Sequence, residues 1–319
     1  VRVFITGITG PVGSALADYL LALDRPDLEI HAFKRWRSDT RPIEHLAGRV
    51  TFHEGDIEDP YVLLHTLQRI VPERIFHLAA QSYPSASWDA PIVTMRTNVE
   101  GTINVLEAVR RTCPTARVHL AGSSAAYGPV RSEDTPISES QPLRPVSPYG
   151  VSKATTEMIG LQYAVSYGLH VVVTRSFNHV GPHQNDRTAI MTFCKQMAMI
   201  ERGMQEPIIR VGNLEAQRDF SHTRDAVRGL WLLLEHAPAG QVYNLCSGVA
   251  TQIGEIVALV QAHGHVAVTV QVDPTRLRPA DEPLLVGDNR KLRAATGWQP
   301  EIMMPEIVAE LLDYWRARL

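Results

Sequence analysis

Apolar residues fall into short runs along the first half of the chain, separated by stretches with apolar positions at helical spacing. Val3–Thr6 is the first run and enters a glycine turn; Glu29–Phe33, Val50–His53, Arg74–Leu78, Arg117–Ala121 and His170–Arg175 follow. Ser14–Leu23, Thr97–Thr112 and Tyr149–Tyr167 carry the helical spacing between them. Short β-rich runs alternating with longer amphipathic segments predict βαβ units and a doubly wound parallel sheet. Ligands in such sheets bind beyond the carboxyl ends of the strands, so the loops after each run are where chemistry is expected.

The pattern changes after Arg175. Pro, Gly and charged residues become frequent, as in Gly181-Pro182-His183 and Arg276-Leu277-Arg278-Pro279, while Gln241–Cys246 reads as a strand returning to the main sheet. The expected organisation is a dinucleotide-binding Rossmann domain over 1–176, with 216–248 returning to it. A smaller, partly interleaved substrate domain is expected from 177–215 and 249–319.

Length and composition agree with this. The 319 residues suit one nucleotide-binding domain plus a smaller partner. A net charge of −3 gives no support for a nucleic-acid surface. No apolar run reaches the roughly 18–20 residues needed to span a bilayer, so no membrane partner is expected. Val1–Gly7 reads as a strand rather than a signal peptide. Cys113, Cys194 and Cys246 are scattered, as are the thirteen histidines, and none has metal-ligand spacing. The expectation is a cytoplasmic protein with no metal site.

Thr6-Gly7-Ile8-Thr9-Gly10-Pro11-Val12-Gly13 follows a strand and opens a helix, the context in which a glycine turn binds a dinucleotide. Glycine permits a tight turn close to a pyrophosphate, and the helix N-terminus supplies N–H donors. Gly7, Thr9, Gly10, Pro11, Val12 and Gly13 are therefore cofactor candidates. The second strand runs into Lys34-Arg35-Trp36-Arg37, where an NAD site would place an acid. Cations there suit a 2′-phosphate, so NADP(H) is expected, with NAD(H) as the alternative and Arg35 as the contact. Asp56 and Ile57 after the third strand are candidates for the adenine, although Asp56 taken alone equally suits a helix cap. Leu78, Ala79 and Ala80 after the fourth are small enough for a cofactor to pass.

Tyr149 and Lys153 stand four apart in Ser147-Pro148-Tyr149-Gly150-Val151-Ser152-Lys153, on one face of a predicted helix. Ser147 suits its cap and Pro148 its first turn. An ammonium beside a phenol is expected to lower its pKa and fit it for proton transfer. Ser123 and Ser124 follow the fifth strand and offer hydroxyls to orient a substrate oxygen.

With these motifs, together with His77-Leu78-Ala79-Ala80, Asn98-Val99-x-Gly101-Thr102 and Tyr127-Gly128, the chain resembles the extended short-chain dehydrogenase/reductase family over essentially its whole length. Ala80-Gln81-Ser82, Phe177-Asn178-His179, Gly212-Asn213-Leu214-Glu215-x-x-Arg218-Asp219-Phe220 and Arg278-Pro279-Ala280-Asp281 are similar to its GDP-sugar branch. The resemblance implies Ser123, Tyr149 and Lys153 as catalytic residues. It also implies a GDP-sugar contacted by Asn178, Arg218, Arg278 and Asp281, with Ser124 beside it. It implies a homodimer paired through the helices Thr97–Thr112 and Tyr149–Tyr167. Sugar 4,6-dehydratases of this family carry an acid two before the loop tyrosine, where this chain has Ala125. The expected activity is NADPH-dependent reduction of the C4 ketone of a GDP-4-dehydro-6-deoxyhexose. A 4,6-dehydratase or a nucleotide-sugar epimerase is the alternative.

Overall fold

The computed structural model describes residues 1–184, 186, 188–277 and 283–319. Its strands are β1 (Arg2–Thr6), β2 (Glu29–Lys34), β3 (Thr51–Glu54), β4 (Arg74–His77), β5 (Arg117–Ala121), β6 (His170–Ser176), β7 (Asn178–Val180), β8 (Ile208–Val211), β9 (Gln217–His222), β10 (Gln241–Leu245), β11 (Ala250–Gln252), β12 (Thr269–Val272) and β13 (Leu284–Leu285). Among the described residues, seven form one parallel sheet in the order β10-β6-β5-β4-β1-β2-β3. Strand order reverses between β1 and β4, which is where such a sheet opens a ligand crevice. β10 returns to the sheet beside β6, as its pattern predicts.

Val3, Phe4 and Ile5 are fully buried because helices cover both faces of β1. That is why the strand reads as a continuous apolar run. One face packs against the helices Pro11–Ala22 and Thr223–His236, the other against Pro60–Ile70 and Gly101–Thr112. A separate apolar cluster joins Val180 and Phe220 to the helices Ala189–Glu201, Ile253–His263 and Met304–Arg316. Beside it β7, β11 and β13 pair with β9, and β12 pairs with β8.

Two helices differ from or sharpen their sequence reading. Over Thr97–Thr112 the regular α-helix occupies only Gly101–Thr112, and Arg96–Glu100 forms a π-helical turn before it. Such turns are frequent at functional sites. Tyr149 and Lys153 lie on the helix Pro148–Tyr167, capped by Ser147 Oγ, which accepts from Gly150 N at 3.0 Å. The helix ends at Gly168, whose φ of 69° suits glycine.

A buried bidentate ion pair fixes this helix to the sheet. Arg175 Nη2 and Nε on β6 donate to Glu157 Oε1 and Oε2 at 2.6 and 2.8 Å, with the side chains 7% and 4% exposed. Truncating one partner of such a pair leaves a buried charge and costs about 3–5 kcal/mol. Glu157→Ala is therefore expected to lower stability by about that amount, and the double variant Glu157→Leu/Arg175→Met by much less. Urea denaturation of the three proteins checks this; equal losses for single and double variants would exclude it.

Candidate active site

The glycine turn lies at the switch point. Gly7 has φ +74°, and a Cβ there would sit 2.6 Å from Ala79 N; one at Gly13 would sit 2.4 Å from Gly7 O. Glycine is required at both positions by backbone packing. The helix Pro11–Ala22 begins at Gly10 with no side-chain cap. Its first-turn N–H groups are thus left for a ligand, and the cradle fits a pyrophosphate. Thr9, Gly10, Pro11 and Val12 are half-buried along it, as are Leu78, Ala79 and Ala80 beyond β4.

Arg35 is exposed just past β2, and Arg37 Nη2 reaches across to Asp56 Oδ2 at 3.2 Å. Asp56 Oδ1 accepts from Glu58 N, so it stays in its own loop. The following helix is capped instead by Asp59, which accepts from Tyr61 N and Val62 N at 3.0 and 3.1 Å. Ile57 is 5% exposed and packs against Gly101, so most of its side chain belongs to the core.

A chain of hydrogen bonds runs from this turn to the Tyr149 helix. Thr102 Oγ1 donates to Asn98 O at 2.6 Å, so it accepts from His77 Nε2 at 3.1 Å. His77 Nδ1 then accepts from Thr6 Oγ1 at 2.8 Å, and Thr6 Oγ1 accepts from Ala79 N at 3.2 Å. One tautomer of a neutral imidazole satisfies every contact. Asn98, on the π-helical turn, donates through Nδ2 to Gln81 O and Ser152 Oγ at 3.1 and 2.9 Å, and accepts from Gln81 N at 2.7 Å. Ser152 Oγ donates to Tyr149 O at 2.7 Å. Asn98 and His77 stand in the quoted motifs, but the bonds of His77 to Thr6 and Thr102 and of Asn98 to Ser152 join residues 25 to 71 apart and could not be read from the sequence.

Tyr149 and Lys153 are 8% and 6% exposed. Lys153 Nζ donates to Ala121 O at 2.7 Å and lies 5.9 Å from the centre of the Tyr149 ring. Burial lowers the Lys153 pKa to about 8. The expectation of a depressed Tyr149 pKa is not met by the protein alone: burial raises it, and Ser123 opposes the rise. The ammonium is engaged with a carbonyl rather than the phenol, and desolvation therefore dominates. Ser123 caps the turn Ser124–Ala126, its Oγ accepting from Ala125 N at 3.2 Å. A Cβ at Gly150 would lie 2.5 Å from Ala125 O, so this loop sits directly on the start of the Tyr149 helix.

Of the residues expected at the sugar nucleotide, Asn178 is exposed and donates to Asp219 O at 2.9 Å, and Arg218 Nη1 donates to Gln217 O at 2.8 Å. Ser124 lies beside Ser123. Arg278 and Asp281 lie outside the described residues.

The switch-point glycine turn and the Ser123–Tyr149–Lys153 grouping define an extended short-chain dehydrogenase/reductase, an NAD(P)-dependent oxidoreductase-type enzyme. A family model described as GDP-mannose 4,6 dehydratase matches residues 4–311, and the chain belongs to that family. It is 32% identical to a GDP-6-deoxy-D-mannose reductase of Pseudomonas aeruginosa, covering 100% of this chain and 98% of that one. It is 31% identical to a GDP-mannose 4,6-dehydratase of Vibrio cholerae, covering 98% and 92%. The solved structure of RMD from Pseudomonas aeruginosa complexed with NADPH superposes with a TM-score of 0.86 at 31% identity, covering 99% of both chains.

Burial lowers the His77 pKa from 6.5 to about 3. Below pH 6.5 the unfolded chain then binds a proton that the folded one refuses, so this group's contribution to stability falls as pH falls from 6.5 toward 3. A His77→Gln variant is expected to lose stability less steeply over that window, in urea titrations at successive pH values. Parallel pH curves for the two proteins would exclude His77 as a source of acid sensitivity.

Proposed function

We propose that this enzyme reduces the C4 ketone of GDP-4-dehydro-6-deoxy-D-mannose, giving a GDP-6-deoxyhexose of the GDP-D-rhamnose type with NADPH as cofactor. The observation that carries the reading is Ala125. It occupies the place of the dehydratase acid in a loop packed on the Tyr149 helix, and no carboxylate stands between Gly122 and Gly128. Elimination of water across C5 and C6 needs a proton donor near C6, and alanine cannot be one. The full-length relatives include a GDP-6-deoxy-D-mannose reductase as well as GDP-mannose 4,6-dehydratases at similar identity, so they are compatible with this reading without selecting it.

Bound NADPH supplies the hydride to C4. Tyr149 donates a proton to the C4 oxygen, and burial favours the protonated phenol that this role requires. Ser123 holds the same oxygen by a hydrogen bond. The Lys153 ammonium lessens the cost of the phenolate left behind. Gly7, Thr9, Gly10, Pro11, Val12 and Gly13 hold the pyrophosphate, Arg35 the 2′-phosphate, Asp56 and Ile57 the adenine, while Leu78, Ala79 and Ala80 line the path between. The domain formed by 177–215 and 249–319 binds the GDP-sugar through Asn178, Arg218, Arg278 and Asp281, with Ser124 beside the hexose.

A homodimer completes the reading. Val151, Met158 and Val165 recur every seven residues on the Tyr149 helix and are 40, 60 and 86% exposed, a stripe suited to pairing with a second copy.

Four tests bear on this. With NADPH, GDP-4-dehydro-6-deoxy-D-mannose should be consumed, while GDP-mannose with NADP⁺ yields little or no 4-keto-6-deoxy product; efficient conversion of GDP-mannose would restore the dehydratase reading. In the same assay Tyr149→Phe should slow turnover by roughly 10²–10⁴-fold with NADPH binding retained. Arg35→Ala should weaken NADP(H) far more than NAD(H), and an equal effect on both would remove Arg35 from the cofactor site. Sedimentation at micromolar concentration should give a dimer, and Met158→Glu a monomer.

A further inference from the structure

Asp219 is fully buried on β9, and its carboxylate gathers donors from two other segments of the chain. Oδ1 accepts from Ser247 N and Ser247 Oγ, both at 2.7 Å. Oδ2 accepts from Gly248 N at 2.9 Å and Gly287 N at 3.3 Å. Ser247 and Gly248 follow β10, the edge strand of the main sheet, and Gly287 follows β13, six positions after Asp281 in the sequence. The Asp219 carbonyl meanwhile accepts from Asn178 Nδ2 at 2.9 Å. Arg218 is its immediate neighbour on the same strand.

A buried carboxylate surrounded by N–H and O–H donors is satisfied only as an acceptor. These four bonds draw the end of β10, the segment after β13 and the β7–β9 pair to one point. Of the residues proposed to contact the sugar nucleotide, Arg218 lies on β9 and Asn178 on β7.

We infer that Asp219 is a positioning residue for the nucleotide-sugar site, setting the placement of Arg218 and Asn178 and hence the affinity for the nucleoside diphosphate rather than the rate of ketone reduction. The inference rests on the assignment of Arg218 and Asn178 to the nucleotide-sugar. Charge-assisted hydrogen bonds of this kind fix geometry more strongly than neutral ones. An amide at 219 keeps the shape but turns an NH₂ group toward backbone N–H donors.

Asp219→Asn is therefore expected to raise KM for the keto sugar by roughly 10- to 100-fold, the scale of losing hydrogen bonds to a charged group. kcat and KM for NADPH should stay within about twofold, because the Ser123–Tyr149–Lys153 grouping and the glycine turn are separate elements. Ser247→Ala, which removes one donor and leaves the carboxylate intact, should shift the same KM in the same direction by a smaller factor. This variant keeps the inference testable if Asp219→Asn does not fold. Arg218→Ala and the Arg218→Ala/Asp219→Asn double variant complete a thermodynamic cycle, read by calorimetric titration with GDP. Coupling is expected, with the double variant binding GDP hardly more weakly than Arg218→Ala alone. Strictly additive losses, or an unchanged keto-sugar KM in both the Asp219 and Ser247 variants, would overturn the inference. A wild-type enzyme that neither binds GDP nor turns over the keto sugar would instead overturn the substrate assignment beneath it.

Discussion

His77, at the carboxyl end of the central strand β4, is enclosed on every side and must find a partner for both ring nitrogens inside the protein. A neutral imidazole offers one donor and one acceptor, so its neighbours are constrained in turn: a hydroxyl that gives its proton at Thr6 and one that receives at Thr102. Thr6 is thereby tied to the backbone of Ala79, and Thr102 to Asn98. Asn98 then joins the Gln81 loop to Ser152 on the Tyr149 helix. The glycine turn and the Tyr149 helix, built by different parts of the chain, are held in register by this one run of satisfied polar groups. Leaving any buried member unpaired would cost about 1–3 kcal/mol, so the run resists piecemeal change.

The same enclosure determines the electrostatics of the site. Burial pushes the Tyr149 pKa up and that of Lys153 down to about 8, the directions expected when each charged form is taken from water. A phenol held in its protonated form is suited to giving a proton to a nascent alkoxide. Arg175 and Glu157 secure the middle of the helix that carries both groups.

Whole-chain similarity does not separate the activities within the family, since reductase and dehydratase relatives are 32% and 31% identical to this chain. The proposal of reduction rests instead on the serine loop, where Ala125 stands at the position at which the family resemblance implies a dehydratase carboxylate.

The sequence by itself determined the strands of the parallel sheet, the glycine turn, the Ser147-capped Tyr149–Lys153 face and the missing acid. Each is written in residues close together along the chain, where periodicity and spacing are governed by local backbone geometry. It showed the helical stretch Thr97–Thr112 but not the π-helical turn within it, where Asn98 bonds across to Gln81 and Ser152. Nor did it show that burial raises the Tyr149 pKa in the protein alone, because spacing shows that Lys153 is near but not that its ammonium is engaged by Ala121. The His77 run and the Asp219 clamp belong wholly to the tertiary structure. The partners of His77 itself lie 25 and 71 residues away and those of the Asp219 carboxylate 28 to 68, and only folding brings those donors and acceptors within bonding distance.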